Sequence, residues 1–528
     1  MTEADNLLVL DQAMRRRTIA VISHPDAGKS TLTEAMLLHA HRISEAGAVN
    51  GKPGRRGTVS DWMAMEQERG ISISSAVVQF EHRGTIINVV DTPGHADFSE
   101  DTYRVLSAVD SAIMLIDAAK GLEEQTMKLF AVCAMRGIPL ITLINKWDRP
   151  GLSALNLLDE IETRTGLLPT PMVWPVGAAG EFRGLLTSGI DQVTTYQHTV
   201  GGSTIAQETP IRPEDATQAL GQDYATAVEE DALLAATGRT HDTALFLAGQ
   251  STPVFFGSAV RNIGVRTLLD ALVSYAPPAA ARVMTDARAR PVNTDFSGYV
   301  FKVQSGMDTA HHDRVAYVRV CSGQFQRGMI LTHAQTGRPF VTKYAQHVVG
   351  RERHTLDTAW PGDVVGLVNA SSLRPGDTLY AGEPAEYPPL PRFRPEHFSY
   401  AQPADTSKHK QFRRGLEQLN GEGVIQVLIS PNVGAHRPLL AAVGPMQFEV
   451  VAARMQAEFH TDVTLEPTRF TIARDLAPGI APLLNGLRGV EVTTRPEGGD
   501  VALFEDRRSL AAIERAHPEL DLAEPAHQ

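Results

Sequence analysis

Four short apolar runs divide the first half of the chain, and each one stops at a polar or glycine-containing segment. Stretches with helical character separate them. Short, wholly apolar runs are typical of strands buried on both faces, and strands that alternate with helices form parallel sheets. The pattern predicts an α/β domain over residues 1–280, with a doubly wound, mostly parallel sheet and a site at the strand carboxyl ends. The four runs are residues 18–22, 86–90, 140–144 and 253–256.

The segment at residues 185–250 interrupts this alternation. It is rich in Thr, Gln, Asp and Glu, and its latter part, residues 212–247, has a helical pattern. We interpret the segment as an insertion that precedes the last apolar strand of the α/β domain.

Beyond a proline-rich linker the pattern changes, and a second such linker marks a further change. Across residues 281–388, short β-rich runs separated by turn signals, such as P-G-D at 361–363, predict a β-barrel domain. The last part, residues 389–528, mixes apolar strands with amphipathic helical stretches at 408–419 and 445–459. That mixture predicts an α+β C-terminal domain.

The polar segment after the first apolar run has the form of a phosphate-binding loop. Gly28 lets the backbone approach a phosphate, so that loop amides and the following helix N-terminus can hold negative charge. Lys29 adds a charge for the β- and γ-phosphates, and the Ser30 hydroxyl is a ligand for Mg²⁺. Ser23 stands where this loop usually has glycine, which requires its φ to stay negative. The predicted nucleotide contacts here are Ser23, His24, Pro25, Asp26, Ala27, Gly28, Lys29, Ser30 and Thr31.

The segment after the second run reads D-T-P-G-H and supplies the hydrolysis chemistry. Asp91 is placed to hold Mg²⁺, and the amide of Gly94 to face the γ-phosphate. His95 stands where Ras-like enzymes place the residue that orients the attacking water, so we predict it to be the catalytic residue. The predicted nucleotide contacts in this segment are Asp91, Thr92, Pro93, Gly94 and His95.

Between these two segments lies a polar stretch, residues 50–69, that contains several glycines and basic residues. Such a stretch is a candidate for an order–disorder switch. Ser72, just after it, offers a second hydroxyl to Mg²⁺, or else merely begins the strand that follows. Pro25 and Ile71 either flank His95 as an apolar gate or belong to the core. The predicted metal ligands are Ser30, Ser72 and Asp91.

The segments after the third and fourth runs select the base. Asp148 can accept hydrogen bonds from the N1–H and the amine of guanine, a pair of donors that adenine lacks, so ATP would leave these groups unmatched. Asn145 is expected to tie its loop to the phosphate loop, Lys146 to cover the base, and the amide of Ala259 to bond the guanine carbonyl. The predicted contacts with GTP or GDP are Asn145, Lys146, Asp148, Ser258 and Ala259.

Taken together, these motifs resemble those of the translational GTPases of the elongation-factor class, and within that class those of the bacterial peptide chain release factor 3 family. The resemblance is carried by S-H-P-D-A-G-K-S at 23–30, R-G-I-S-I at 69–73, D-T-P-G-H-A-D-F at 91–98 and N-K-W-D at 145–148. It continues through G-P-M-Q-F-E-V-V at 444–451 and so covers nearly the whole chain.

This resemblance implies a ribosome-stimulated GTPase in translation termination that promotes dissociation and recycling of class I release factors after peptide release. The implied partners are the ribosome, through its RNA and proteins, and class I release factors, and the expected state is a monomer. Two alternatives stay open: another translational GTPase, such as a translocase or ribosome-protection factor, and a GTP-dependent scaffold without catalysis. The expected absence of further domains weighs against the first alternative. Intact Lys29, Asp91 and His95 weigh against the second.

Composition refines this picture without changing it. Cys133 and Cys321 lie in apolar segments, which is typical of buried thiols in a reducing cytoplasm. No apolar run approaches the roughly 20 residues of a membrane span, so no membrane association is expected. The net charge of −12 does not indicate RNA binding, and a ribosome ligand would then need a local basic surface. The candidates, which are otherwise an ordinary solvated helix face, are Lys408, Lys410, Arg413 and Arg414.

Overall fold

The computed structural model shows three architectures in succession along the chain: α/β, then β, then α+β. Within the described residues, every helix is too short or too polar to cross a bilayer. The predicted fold class is confirmed. The described residues are 2–42, 75–197, 204–305, 314–349, 352–391, 393–520 and 522.

A seven-stranded sheet forms the centre of the N-terminal domain, and a smaller sheet is attached to it. The strands are β1 (Arg16–Ser23), β2 (Ala76–His82), β3 (Thr85–Asp91), β4 (Ser111–Asp117), β5 (Leu140–Asn145), β6 (Leu168–Pro171), β7 (Val173–Val176), β8 (Gly184–Thr187), β9 (Gln192–Tyr196), β10 (Glu208–Ile211) and β11 (Ser251–Phe256). The large sheet has the order β2-β3-β1-β4-β5-β11-β6. All its neighbouring strands are parallel except β2 and β3.

Helices cover both faces of the large sheet. Alternate residues of β1 point to opposite faces: Ile19 and Val21 pack in one buried cluster, and Ala20 and Ile22 in another. Helix α1, which the sequence patterns did not predict, begins with a capping box in which the Thr2 side chain accepts from the Asp5 amide. The helices are α1 (Glu3–Met14), α2 (Lys29–His39), α3 (Ser99–Leu106), α4 (Glu124–Met135), α5 (Ala154–Thr165), α6 (Pro213–Leu220), α7 (Gln222–Ala236), α8 (Thr243–Leu247) and α9 (Val265–Tyr275).

The chain between β6 and β11 forms its own substructure. Strands β7 to β10 make an antiparallel sheet in the order β10-β9-β8-β7, and α6 and α7 follow it in the polar part of the chain. Trp174 of β7 is buried and donates from its indole nitrogen to Glu230 of α7 at 2.8 Å. The Tyr224 hydroxyl donates to the backbone oxygen of Asp191 at 3.2 Å. These bonds join α7 to the small sheet and to the turn between β8 and β9.

The central domain is a curled antiparallel sheet with the strand order β18-β17-β23-β14-β15-β22-β19-β20. Two short pairs, β12–β13 and β16–β21, lie beside it. Its strands are β12 (Arg282–Val283), β13 (Ala289–Arg290), β14 (Ser297–Ser305), β15 (Arg314–Ser322), β16 (Phe325–Gln326), β17 (Ile330–His333), β18 (Pro339–Val341), β19 (Ala345–Val349), β20 (Glu352–Thr355), β21 (Thr358–Ala359), β22 (Val364–Val368) and β23 (Thr378–Tyr380).

The turn before β22 anchors the central domain to the N-terminal sheet. The backbone oxygen of Gly362 accepts from the Thr18 hydroxyl at 2.6 Å and from the Asn88 amide at 3.0 Å. Arg16 of β1 pairs with Asp363 at 2.8 Å, and both side chains are buried. Gly362 has φ of +106°, and a Cβ there would lie 2.8 Å from the Cβ of Arg16. We call these contacts the sheet interface.

The C-terminal domain contains two small sheets. The first, in the order β25-β26-β24-β27, is covered by α10 and α11; the second, in the order β28-β30-β29, packs against α12 and α13. The elements are β24 (His397–Pro403), α10 (His409–Glu422), β25 (Gln426–Leu428), β26 (Leu439–Ala442), α11 (Met446–Phe459), β27 (Val463–Pro467), β28 (Ile472–Asp475), α12 (Ala481–Leu484), β29 (Val490–Thr494), β30 (Asp500–Phe504) and α13 (Arg507–Ala516).

Candidate functional site

The loop between β1 and α2 bends the backbone around the predicted phosphate position. Asp26 and Gly28 have positive φ, at 63° and 103°, so the chain turns tightly before α2 begins at Lys29. Successive amides in such a turn form a concave surface for an anion. A Cβ at Gly28 would lie 2.6 Å from the side-chain nitrogen of Asn145, so only glycine fits there.

Ser23 contributes a hydroxyl that glycine lacks. Its φ lies outside the positive region, as its side chain requires. The hydroxyl accepts a hydrogen bond from the Lys29 ammonium at 2.9 Å, and the same ammonium lies 3.3 Å from the backbone oxygen of His24. A Cβ at Gly94 would overlap that ammonium. Lys29, which is buried, is therefore held between the phosphate loop and Gly94, where the β- and γ-phosphates are expected.

Residues 91–98, which we call the hydrolysis loop, leave the sheet beside the phosphate loop. Asp91 is buried and lies in register with Val21 of β1. The Thr92 hydroxyl donates to the backbone oxygen of Val21 at 2.8 Å. A Cβ at Gly94 would lie 3.2 Å from the Cα of Pro25, so the two loops touch. Pairing of β1 with β3 thus brings the predicted phosphate and γ-phosphate segments together.

The donor set at this junction fits a magnesium ion. Ser30 and Thr31 lie in the first turn of α2, and Asp91 lies at the end of β3. Hydroxyl and carboxylate oxygens are the ligands that Mg²⁺ prefers, together with phosphate oxygens and water. Ser72, the third predicted ligand, and Ile71, one side of the predicted gate, lie outside the described residues.

His95 is partly exposed beside this junction. Its side chain is 37% exposed, and its Nδ1 lies 3.2 Å from Oδ1 of Asp97 and 3.4 Å from the Asp97 amide. The imidazole meets the Phe98 ring edge-on, with 6.3 Å between centroids. The position leaves Nε2 on the far side of the ring from Asp97. The catalytic role of His95 stays a prediction.

The hydrolysis loop also contacts the C-terminal domain. Oδ2 of Asp97 accepts from the amide of Met446, the first residue of α11, at 2.7 Å. Phe98 packs against Val450. Arg104 of α3 donates to the backbone just past α10 at 3.3 Å. We call these contacts the loop interface. Sequence reasoning missed it because Asp97 and Met446 are 349 residues apart.

Asn145 joins three segments of the predicted base and phosphate site. Its amide nitrogen donates to the backbone oxygen of Ala27 at 2.8 Å, as expected for a tie to the phosphate loop. Its amide oxygen accepts from the Ala259 backbone at 2.9 Å. The backbone N–H of Ala259 therefore already has an acceptor. It can bond a guanine carbonyl only by leaving the Asn145 oxygen or by sharing its hydrogen bond between the two oxygens. Ser258 is buried, and its backbone pairs with Ile263.

Lys146 and Asp148 are each held by a partner that the sequence patterns did not indicate. Lys146, with φ of +65°, pairs with Asp117 at 2.8 Å. Burial alone would raise the pKa of Asp117, but the hydrogen bonds and charge of its neighbours, Lys146 first among them, together outweigh burial and hold the pKa below its usual range. Asp148 is almost fully buried, and Arg261 lies 3.4 Å from its Oδ2. The sequence signal that could have identified both partners is their position in the chain. Asp117 is the last residue of β4, and Arg261 closely follows Ala259.

Comparison with known families and proteins agrees with these features. The chain matches "Elongation factor Tu GTP binding domain" at residues 14–278, "Elongation factor G domain 2" at 295–382 and "Class II release factor RF3, C-terminal domain" at 387–514. A crystal structure from Thermus thermophilus shares the fold, with a TM-score of 0.71 at 21% identity, over 93% of this chain and 72% of that one.

Full-length relatives carry one name. Peptide chain release factor 3 of Microcystis aeruginosa is 43% identical, over 99% of this chain and 97% of its own length. The protein of that name in Synechococcus elongatus is 44% identical over 97% and 93%, and in Gloeobacter violaceus 47% identical over 87% of each. The chain therefore binds guanine nucleotide and hydrolyses GTP, and it belongs to the peptide chain release factor 3 family, the translational GTPases of termination.

Proposed function

We propose that this chain, acting as a monomer in the cytoplasm, is a ribosome-stimulated GTPase that promotes dissociation and recycling of class I release factors after peptide release. The observation that carries the proposal is the meeting of the phosphate, hydrolysis and base loops at one edge of the sheet, with the hydrolysis loop resting on the C-terminal domain. The family match of that C-terminal domain supports the assignment to termination.

Nucleotide recognition is assigned to the predicted residues in the roles their contacts support. The phosphates lie on the amides between Ser23 and Ser30, with Lys29 as the charged contact. The base lies at Asp148, whose carboxylate is kept in place by Arg261. Because Asp148 and Asn145 are buried, a base that failed to match them would leave polar groups without partners, and this favours GTP over ATP.

Mg²⁺ would be held by Ser30, Ser72 and Asp91. When bound, the ion supplies charge neutralisation for the β- and γ-phosphate oxygens. The position of Asp91 at the end of β3, in register with the end of β1 beside the phosphate loop, supports this assignment.

Hydrolysis is assigned to His95. The imidazole follows the Gly94 amide, which faces the γ-phosphate, so its free edge can reach a water aligned with that phosphate. The water attacks the γ-phosphorus as the bond from that phosphorus to the β–γ bridging oxygen breaks. GDP leaves with negative charge that Lys29 and the loop amides stabilise, and the proton of the water passes to the phosphate formed. His95 orients the water by accepting or donating at Nε2, and the ribosome accelerates the step by fixing the hydrolysis loop.

Ribosome binding is assigned in part to the start of α10. Lys410, Arg413 and Arg414 are exposed there, and Lys408 donates to the backbone oxygen of His460. Lys410 lies in the first turn of α10, where a basic side chain opposes the helix dipole, so it does not serve the stability of α10. Arg413 pairs with Glu417, at 3.4 Å, and both side chains are exposed, so this pair holds the guanidinium only weakly. Phosphates of ribosomal RNA are the complementary charge.

Release of the class I factor follows from a population shift. GTP orders the segments around Ser72 and Gly94, and the ordered protein binds a ribosome conformation that the class I factor does not. Hydrolysis then relaxes these segments and frees the GTPase.

A kinetic experiment tests the proposal. GTP turnover is measured with and without 70S ribosomes, and dissociation of a labelled class I factor is followed on termination complexes whose peptide has been released. We expect ribosomes to stimulate turnover and GTP to accelerate dissociation. Unchanged dissociation together with tRNA–mRNA translocation would instead identify a translocase.

A further inference from the structure

We propose that Asp97 is a positioning residue for hydrolysis that couples His95 to the C-terminal domain. One carboxylate oxygen faces the imidazole of His95 and the other accepts from the first amide of α11, so turnover depends on how that domain is docked. The inference rests on the proposed catalytic role of His95.

The carboxylate of Asp97 is shared between two distant parts of the chain. Its side chain is 11% exposed, so it has little access to water. Oδ1 lies 3.2 Å from Nδ1 of His95, and Oδ2 lies 2.7 Å from the amide nitrogen of Met446. A carboxylate with one oxygen against the imidazole and the other bonded to the Met446 amide cannot rotate without losing one of these contacts. Movement of α11 therefore shifts the Asp97 carboxylate and changes its contact with His95.

Asp97 contacts Nδ1 of the His95 ring with both its carboxylate and its backbone amide. An unprotonated Nδ1 would direct its lone pair at a carboxylate oxygen, which is repulsive, whereas Nδ1–H donates to that oxygen. The Asp97 amide donates to Nδ1 at 3.4 Å, so an unprotonated Nδ1 also has a partner on the same residue. Asp97 thus holds Nδ1 in either tautomer, through its amide or its carboxylate, and Nε2 is the ring nitrogen left for the attacking water. A third group that orients a catalytic histidine is a recurrent arrangement.

The C-terminal side of this contact is built to approach closely. A Cβ at Gly444 would overlap the Asp97 carboxylate, so the approach requires glycine. The side-chain oxygen of Gln447 accepts from the amides of Val443 and Gly444 at 2.7 and 3.2 Å, which fixes the turn into α11. The amides at a helix N-terminus carry partial positive charge, which a carboxylate complements.

Apolar contact adds to the same docking. Phe98, the residue after Asp97, is buried against Val450, with Met446 packed at the edge of the cluster. Asp97 and Phe98 therefore both lie on one face of α11, and both follow His95 within three residues. If this docking contributed only to stability, its loss would lower the free energy of unfolding but would not alter the rate of GTP hydrolysis.

The test measures ribosome-stimulated GTP turnover and nucleotide affinity in five single variants and two double variants. Asp97→Ala removes both contacts, and Asp97→Asn keeps an acceptor for Met446 but loses the charge facing His95. Gly444→Ala sets a Cβ against the Asp97 carboxylate and so forces α11 and the loop apart without replacing a loop residue. Ala453→Gly is the control, because it weakens α11 at an exposed site away from Asp97. His95→Ala gives the effect of losing the imidazole itself.

We expect Asp97→Ala and Gly444→Ala each to lower kcat about 10-fold or more, with little change in KM or GDP affinity. Their double variant should be about as slow as either single one, because both break one contact. In a His95→Ala background, Asp97→Ala should have no further effect. The Asp97→Asn variant should also turn over GTP slowly, because it lacks the charge that faces His95. The Ala453→Gly variant should turn over GTP at the wild-type rate.

The outcomes separate this inference from the proposed function. If His95→Ala is slow but Asp97→Ala, Asp97→Asn and Gly444→Ala all turn over at the wild-type rate, the positioning role is refuted and the catalytic role of His95 stands. If His95→Ala itself turns over normally, the proposed catalytic role fails first. An equal loss in Ala453→Gly would mean that the stability of α11 matters and that Asp97 has no special part.

Discussion

The N-terminal domain meets its two neighbours in different ways. At the sheet interface, the turn at 361–363 contacts strand residues through Arg16–Asp363 and through the Gly362 oxygen. At the loop interface, the C-terminal domain contacts Asp97, Phe98 and Arg104, which all follow Asp91 in the chain. One neighbour is attached to the core of a sheet, and the other to the segment that is expected to respond to the γ-phosphate.

This difference assigns different roles to the two neighbours. Strands in the middle of a sheet have one arrangement, because their backbone bonds and packing fix them from both sides. A loop at the γ-phosphate has two arrangements when the nucleotide changes. The N-terminal and central domains should therefore move together, while the docking of the C-terminal domain should vary with the nucleotide.

The largest effect is expected at the sheet interface. Arg16→Ala leaves the buried Asp363 carboxylate without its ionic partner, which should lower the free energy of unfolding by roughly 3–5 kcal/mol. Denaturant unfolding measures this free energy, from the first transition of the unfolding curve. Gln79→Ala is the matched control, because it removes a neutral donor to the same carboxylate, 3.1 Å away, and should cost about 1 kcal/mol. Equal effects of the two variants would show that the ion pair has no special weight.

A change in the base loop, which touches neither interface, should alter affinity alone. Asp148→Asn removes a charged acceptor from the expected guanine contact and should weaken GDP binding by about 2–4 kcal/mol. Binding of xanthosine nucleotides should improve, because their carbonyl meets an amide donor. Calorimetric titration with both nucleotides checks this. Unaltered GDP affinity would remove Asp148 from base recognition.

On the loop side, the expected effect is on the chemical step. His95→Ala should lower ribosome-stimulated GTP turnover by about 100-fold or more, because a group that positions the attacking water is lost. GTP affinity and unfolding should change little, since the imidazole is partly exposed and makes few ground-state contacts. Stopped-flow phosphate release measures the step. A rate close to that of the wild type would exclude His95 from the mechanism.

The smallest effect is expected from Arg104→Ala, and it should depend on the nucleotide. Arg104 donates to backbone oxygens of Glu422 and Gly423 at 3.3 Å, so its loss should weaken docking of the C-terminal domain by about 1 kcal/mol. Hydrogen exchange of residues 409–423 should rise more in one nucleotide state than in the other. The same rise with GTP and with GDP would show that the loop interface, like the sheet interface, does not depend on the bound nucleotide.

Much of the site was predictable because its chemistry is local in sequence. Gly28 by itself indicates that the backbone bends before α2, because glycine adopts positive φ readily, and its φ is +103°. The apolar runs before Ser23, Asp91 and Asn145 became parallel strands of the same sheet, β1, β3 and β5, which brings their carboxyl ends to one edge. Whether each predicted residue contacts nucleotide or metal stays a prediction.

Other features gave a weak signal in sequence. Helix α1 begins with a Thr2–Asp5 capping box, yet its exposed Leu7 and Leu8 do not form an amphipathic pattern. The small sheet β7–β10 lies partly in a polar segment with short strands, which composition alone does not distinguish from loops. In both cases packing against the rest of the domain supplies the stability that local preference does not.

The sequence by itself determined the order of the three architectures, the position of the nucleotide loops and the family, because strand period, turn chemistry and motif spacing are encoded within a few residues of each other. Only the tertiary structure decided which groups hold those loops in place. The Ser23 hydroxyl on Lys29, Arg261 beside Asp148 and Asp97 between His95 and α11 depend on where separate segments meet. Such contacts carry no local periodicity, since their partners are fixed by the packing of whole domains.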